Sequence, residues 1–137
     1  MADKSKVRFE ITVEQDIILA RKAGRGLSTE SGLSEVAAAE IALAISELAR
    51  NILIHAGTGK IMLQARAEGS RVGIEVIASD EGPGIANIEL ALRDGFSTAQ
   101  GLGLGLPGTR RLVDEFEIKS EPGRGTTVKL TKWQFGR

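Results

Sequence analysis

The chain has 137 residues and a mass of 14.5 kDa, enough for one ordinary domain that buries about two-thirds of its unfolded surface. Its 18 Lys and Arg balance 18 Asp and Glu, so no net basic field draws it to nucleic acid or to an anionic membrane. It contains no cysteine, which excludes a disulfide framework, thiolate catalysis and thiolate metal sites and suits a reducing cytoplasm.

The polar opening, residues 1–6, lacks the apolar segment of a signal peptide. Val7, Phe9 and Ile11 then alternate with Arg8, Glu10 and Thr12, the period of a half-buried strand. Ile17, Ile18, Ala20, Arg21 and Leu27 suit a helix from about 14 to 27 that ends near Gly24 or Gly26. Ser34 is a natural N-cap for a long helix whose buried face is Val36, Ile41, Ile45, Leu48 and Ile52, running to His55 with Gly57 as a stop. Glu40, Ser46, Glu47, Arg50 and Asn51 interrupt that apolar stretch, which rules it out as a membrane span. Residues 60–68 and 71–79 have period-two character and form a hairpin through Gly69-Ser70.

After the loop Asp80-Glu81-Gly82-Pro83-Gly84, a short helix is expected at 87–94. Residues 95–105 are too rich in glycine for regular structure and form a candidate mobile lid. A helix over 106–116, with Pro107 in its first turn, and a final hairpin of strands 117–120 and 126–133 complete the chain. Paired antiparallel strands with segregated helices predict an α+β fold, a two-layer sandwich in one domain spanning 1–137.

Three segments carry chemistry. On the long helix, Glu47 and Asn51 are spaced i, i+4 and share one face. Such a pair either decorates a solvated surface or sets an uncharged oxygen for Mg²⁺ beside a general base. Asp80, at the end of an apolar strand, either opens a turn or accepts a hydrogen bond from a ligand's amino group. Gly101-Leu102-Gly103-Leu104-Gly105 leads into a helix start, where backbone N–H groups can face a polyphosphate. Gly103, Gly105 and Gly108 also fit a dinucleotide fingerprint, but no strand precedes them, and no P-loop is present.

Taken in order, Glu47-Leu48-Ala49-Arg50-Asn51, Asp80-Glu81-Gly82-Pro83-Gly84, Gly101-Leu102-Gly103-Leu104-Gly105 and Gly125-Thr126 resemble the N box and the three glycine boxes of the GHKL ATPase superfamily. That resemblance implies the Bergerat ATP-binding fold, a mixed and mostly antiparallel sheet with helices on one face. The phrase Ile45-Ser46-Glu47-Leu48-Ala49-Arg50-Asn51 and the run from Asp94-Gly95-Phe96-Ser97-Thr98 to Gly105-Leu106-Pro107-Gly108 resemble the RsbT-type serine-protein kinases in particular. The family implies a cytoplasmic serine/threonine kinase that uses ATP and Mg²⁺. Its partners would be STAS-domain scaffold proteins of a stressosome as substrates and a downstream phosphatase or cyclase as effector, with no nucleic acid or membrane.

Carried over by position, Glu47 would be the general base and Asn51 the Mg²⁺ ligand. Asp80 would accept from the adenine amino group, with Gly82 in the same box and Gly84 letting the ring approach. Gly101, Gly103 and Gly105 would wrap the phosphates and Thr126 would support the adenine side. The related anti-sigma-factor kinases carry a basic lid residue for the γ-phosphate where this chain has Thr98-Ala99-Gln100, so that charge must come from elsewhere, such as Arg50, Arg110 or a partner. Two other readings follow from the same boxes: a non-catalytic switch that binds nucleotide and sequesters a partner, and a histidine-kinase catalytic domain, for which His55 is the only histidine. Partner docking is expected at the first helix near Arg21, Lys22 and Arg25.

Overall fold

A computed structural model describes residues 6–84 and 105–135. Along the chain run β1 (Lys6–Ile11), α1 (Glu14–Glu30), α2 (Glu35–His55), β2 (Gly59–Glu68), β3 (Arg71–Asp80), α3 (Gly105–Arg111), β4 (Glu115–Glu121) and β5 (Gly125–Phe135). The five strands form one sheet in the order β1-β2-β3-β5-β4, and every pairing in it is antiparallel. The expected short helix at 87–94 and Gly101 and Gly103 of the glycine-rich stretch lie outside the described residues.

Period-two patterning assigns the two faces of the sheet. Val7, Leu63, Val76, Leu130 and Phe116 line up across all five strands, as do Phe9, Ile61, Ala78, Val128 and Ile118. These rows pack against α1 and α2, whose Ile17, Ala20, Leu27, Ile41, Ile45, Leu48 and Ile52 complete the core. The opposite face is polar: Glu75 is buried there under ion pairs from Arg66 (2.9 Å) and Lys129 (3.6 Å). Beside them the Arg71 guanidinium lies 3.8 Å from the centre of the Trp133 ring, a cation–π contact. The two-layer sandwich expected from the order of elements is therefore what forms.

The starts of α1 and α2 are each accounted for by a side chain. Asp16, in the first turn of α1, reaches back to accept from the backbone N–H of Thr12 (2.8 Å) and Val13 (3.0 Å). The Thr12 N–H, then that of Val13, hold its carboxyl below the ordinary range. Ser34 caps α2 by accepting from the Ala37 N–H at 3.1 Å. The side chain of Gln134, on β5, accepts from the Ser34 N–H and donates to the Gly32 carbonyl, which fastens the α1–α2 turn to the sheet.

Three expectations are corrected. α1 does not stop at Gly24 or Gly26 but runs to Glu30: Gly24 faces Ile45 of α2 so closely that a Cβ there would collide with its Cδ1. Glycine here permits helix contact, and the Ser28 hydroxyl donates back to the Gly24 carbonyl at 2.7 Å within the same helix. Val36 is 71% exposed, and Ala37 and Ala38 take the core-facing places in the first turn of α2. α3 ends at Arg111, and 115–121 is a strand, because Phe116 and Ile118 pair with Leu130 and Val128 on the apolar face.

Two substitutions test this packing. Ile45→Ala, at a side chain with no exposed surface, is expected to cost about 2–5 kcal/mol, and Ser34→Ala about 1 kcal/mol. Urea unfolding of both variants should show these losses with an unchanged m-value.

Candidate functional site

The apolar rows of the sheet end at one edge of the helix layer. The next row on the same face reads Ile11, Gly59, Asp80, Thr126 and Ser120, so aliphatic side chains give way to a gap, a carboxylate and two hydroxyls. At Gly59 a Cβ would lie 2.7 Å from Ile52 Cγ2 and 2.6 Å from the Ser79 carbonyl oxygen, so only glycine lets the last turn of α2 come down on this row. Ala56, which follows α2, packs on Gly82 in the same way, 2.6 Å from where its Cβ would stand. The end of α2 and the 80–84 loop are thereby brought together.

Asp80 is half-buried. Its Oδ1 accepts from the Gly82 N–H at 2.9 Å, the local turn expected of an aspartate in this position. That bond also fixes the carboxylate and leaves Oδ2 without a hydrogen-bond partner among the described residues. Thr126 stands directly opposite Asp80 in register, with its hydroxyl 2.8 Å from that of Ser120. The turn reading of Asp80 is what the Gly82 contact shows, and that contact leaves Oδ2 open to a further donor.

Two glycines near it are explained by close backbone contact. Gly84, at φ +78°, packs on the carbonyl of Glu121, and the Gly123 N–H donates to the Pro83 carbonyl at 2.7 Å. Gly125, at φ +114°, lies against the backbone of Asp80 and 2.8 Å from the Glu81 Cα, measured to the Cβ it lacks. Gly125 was not among the expected site residues. Its signal in the sequence is the Gly125-Thr126 pair after a turn, which does not show that the strand opposite is the one ending in Asp80.

Glu47 lies on α2 and is 3% exposed. Its Oε1 accepts from Arg50 Nη1 at 3.3 Å and its Oε2 from the Gly105 N–H at 3.4 Å. Gly105 has φ +63° and opens α3, so one buried carboxylate joins the long helix to the end of the glycine-rich stretch. Asn51, one turn further along α2, is half-buried, and its carboxamide has no partner among the described residues. A cleft of about 380 Å³ opens between α1 and α2, lined by Arg21, Arg25, Ala42, Ser46, Glu47 and Arg50 among others. Glu47 and Asn51 stand one turn apart on α2 as expected, and Arg21 and Arg25, where a partner is expected to dock, line the cleft with Glu47, whereas Asn51 does not. His55 is exposed at the end of α2.

These residues fit an adenine nucleotide and a divalent cation. Asp80 offers a fixed acceptor for an exocyclic amine, and Asn51 offers an unengaged amide oxygen to a hard cation that prefers oxygen ligands. Asp80→Asn is expected to weaken adenine-nucleotide binding tenfold or more, roughly the scale of losing one charged hydrogen bond. Gly125→Ala should weaken it as well by displacing the Asp80 backbone, whereas Thr127→Ala, on the opposite sheet face, should not; calorimetric titration with ATP distinguishes the three.

Comparison with known proteins agrees with this geometry. The histidine kinase-like ATPase domain family matches residues 9–132. The chain is 48% identical over 133 residues to the serine/threonine-protein kinase RsbT of Bacillus subtilis (strain 168), covering 97% of this chain and 98% of that one. It is 39% identical over 101 residues to the anti-sigma F factor of Thermoanaerobacter sp. (strain X514), covering 69% of each. Among solved structures, the histidine kinase domain of a blue-light activated histidine kinase from Erythrobacter litoralis superposes with a TM-score of 0.55 at 19% identity, over 96% of this chain and 65% of that chain, a likeness of fold. With the family match spanning nearly every described element and a relative alike from end to end, the chain belongs to the histidine kinase-like ATPases.

Proposed function

We propose that the protein is a serine/threonine-protein kinase that transfers the γ-phosphate of ATP to STAS-domain partners in a cytoplasmic partner-switching pathway of the bacterial stress response, and that by changing partners it activates a downstream phosphatase or cyclase. The 48% identity to RsbT over almost the whole chain supports the kinase reading, and the anti-sigma F factors among its relatives support regulation through partner proteins. The single observation that carries it is Glu47: a buried carboxylate at the wall of an open cleft, next to the end of the glycine-rich stretch.

In this reading an acceptor serine enters through the cleft past Arg21 and Arg25. Glu47 takes the proton of its hydroxyl as the oxygen attacks the γ-phosphorus. The bond from that phosphorus to the β,γ-bridging oxygen breaks, and ADP carries away the bridging oxygen. Asp80, with Gly82 and Thr126 around it, holds the adenine amino group. Gly101, Gly103 and Gly105 line the phosphates. Asn51 would hold Mg²⁺, which supplies charge neutralisation on the phosphates when bound. Positioning and charge stabilisation are the greater part of what phosphoryl transfer asks of a protein, and a placed base adds about 10²–10⁴-fold.

The test is intact-mass measurement of a STAS-domain protein incubated with the kinase and Mg·ATP. Wild type should add one phosphoryl group, and Glu47→Gln, which keeps the side chain's volume, should slow transfer about 10²–10⁴-fold with nucleotide affinity retained. Transfer at the wild-type rate by Glu47→Gln would remove Glu47 from the base role. Nucleotide binding with no phosphoryl group on any partner would leave the sequestering switch as the better account.

A further inference from the structure

Resting on the assignment of Glu47 as the base, we propose that Arg50 is the cation that stabilises the transferring phosphoryl group, and that its ion pair with Glu47 is the resting contact it shares with or leaves for that group. Among the described residues Arg50 is the only cation within ion-pair distance of Glu47, at 3.3 Å. That separation is long for a charge-assisted bond, whose usual range is about 2.7–2.9 Å, and the Arg50 side chain is 45% exposed where that of Glu47 is 5%. The pair is therefore loose on the arginine side: the carboxylate is fixed in the protein, while the guanidinium stands at the cleft. Arg50 makes no other hydrogen bond among the described residues, so four of its five N–H donors are uncommitted.

Reach and charge argue in the same direction. A base must come within about 2.6–3.2 Å of the hydroxyl it deprotonates, and that oxygen must lie about 3–3.5 Å from the phosphorus it attacks. The reacting phosphorus consequently stands within about two such contacts of Glu47, and the Arg50 guanidinium is already in contact with that carboxylate. Bringing a polyphosphate toward an ionised carboxylate is repulsive, more so where water is partly excluded. A guanidinium has a rigid fork that can give one N–H to the carboxylate and others to phosphoryl oxygens, so it can bridge the two anions. Arg21 and Arg25 line the same cleft but belong to α1 and make no ion pair with Glu47. They flank the approach, whereas Arg50 touches the reacting end.

The experiment compares the full-length wild type with Arg50→Gln, Arg50→Lys and Arg50→Ala. Calorimetric affinities for Mg·ATP and Mg·ADP are measured first, because only the former carries a γ-phosphate. Arg50→Gln should cut the preference for ATP over ADP roughly tenfold, the scale of a charged hydrogen bond, with ADP affinity unchanged, and Arg50→Lys should recover part of it. In the transfer assay Arg50→Gln should lower kcat by about 10²-fold or more, in line with arginines in other phosphoryl-transfer sites, with little change in the KM for the protein acceptor. Soluble guanidinium should restore turnover to Arg50→Ala, since the side chain is open to solvent. An ATP-to-ADP preference equal to wild type in Arg50→Gln, or kcat unchanged, overturns the proposal. Failure of Glu47→Gln to slow transfer would instead overturn the base assignment, and the ATP-to-ADP ratio would still decide the role of Arg50.

Discussion

The register of β3 against β2 and β5 is the constraint on which the rest of the site depends. It sets Gly59, Asp80 and Thr126 side by side on the helix-facing surface of the sheet, one row beyond the aliphatic rows that hold α1 and α2. A slip of one residue would turn every side chain of a strand to the other face. Ile74, Val76 and Ala78 would meet solvent and Glu75 would enter the core. Burial of those aliphatic side chains therefore specifies where Asp80 points, and its carboxylate takes its orientation from apolar packing two to six residues earlier in the strand.

Helix α2 serves both purposes along its length. Ile41, Ile45, Leu48 and Ile52 are essentially buried on the sheet, and Glu47 and Asn51 lie on a neighbouring strip. A carboxyl group at 3% exposure needs partners, since a buried polar group without them is expensive. It has one from its own helix in Arg50 and one from outside in the Gly105 N–H. Both contacts, at 3.3 and 3.4 Å, are long, so the carboxylate is held in place without being tightly bound by either donor.

Much of this was legible in the sequence, and the failures have physical causes. The places of Glu47 and Asn51 on one helix and of Asp80 at a strand end were legible because a helix face and a strand end follow from local periodicity. The length of α1 was misjudged because glycine has two uses: as a stop where φ is positive, and as a spacer where two helices touch. Gly24 is the second kind, and only its neighbour Ile45 of α2 reveals that. The segment from Leu112 to Phe116 was read as helix because a short apolar run fits either period, and its pairing with Leu130 and Thr131 of β5 is what decides for strand. The contact of Gly125 with the Asp80 backbone and the anchoring role of Lys132 were not legible, since each acts on a residue far away in sequence.

Lys132 shows how a distant contact supports the site. A helix as short as α3 does not persist without tertiary support, yet its first residue must stay at Glu47. Inside the helix the Thr109 hydroxyl donates to the Gly105 carbonyl at 2.7 Å, and Leu106 and Thr109 are buried. Beyond its C-terminus the Lys132 ammonium donates to the Leu112 carbonyl at 2.9 Å and pairs with Glu40 of α2 at 3.2 Å. Two residues on, the Asp114 N–H donates to the Thr131 carbonyl, and the Asp114 carboxylate accepts from the Trp133 N–H at 2.6 Å. The helix is pinned to α2 on one side and β5 on the other. Because α2 carries Glu47 and β5 carries Thr126, the end of the glycine-rich stretch is referenced to both, and the three parts of the candidate site keep a common frame.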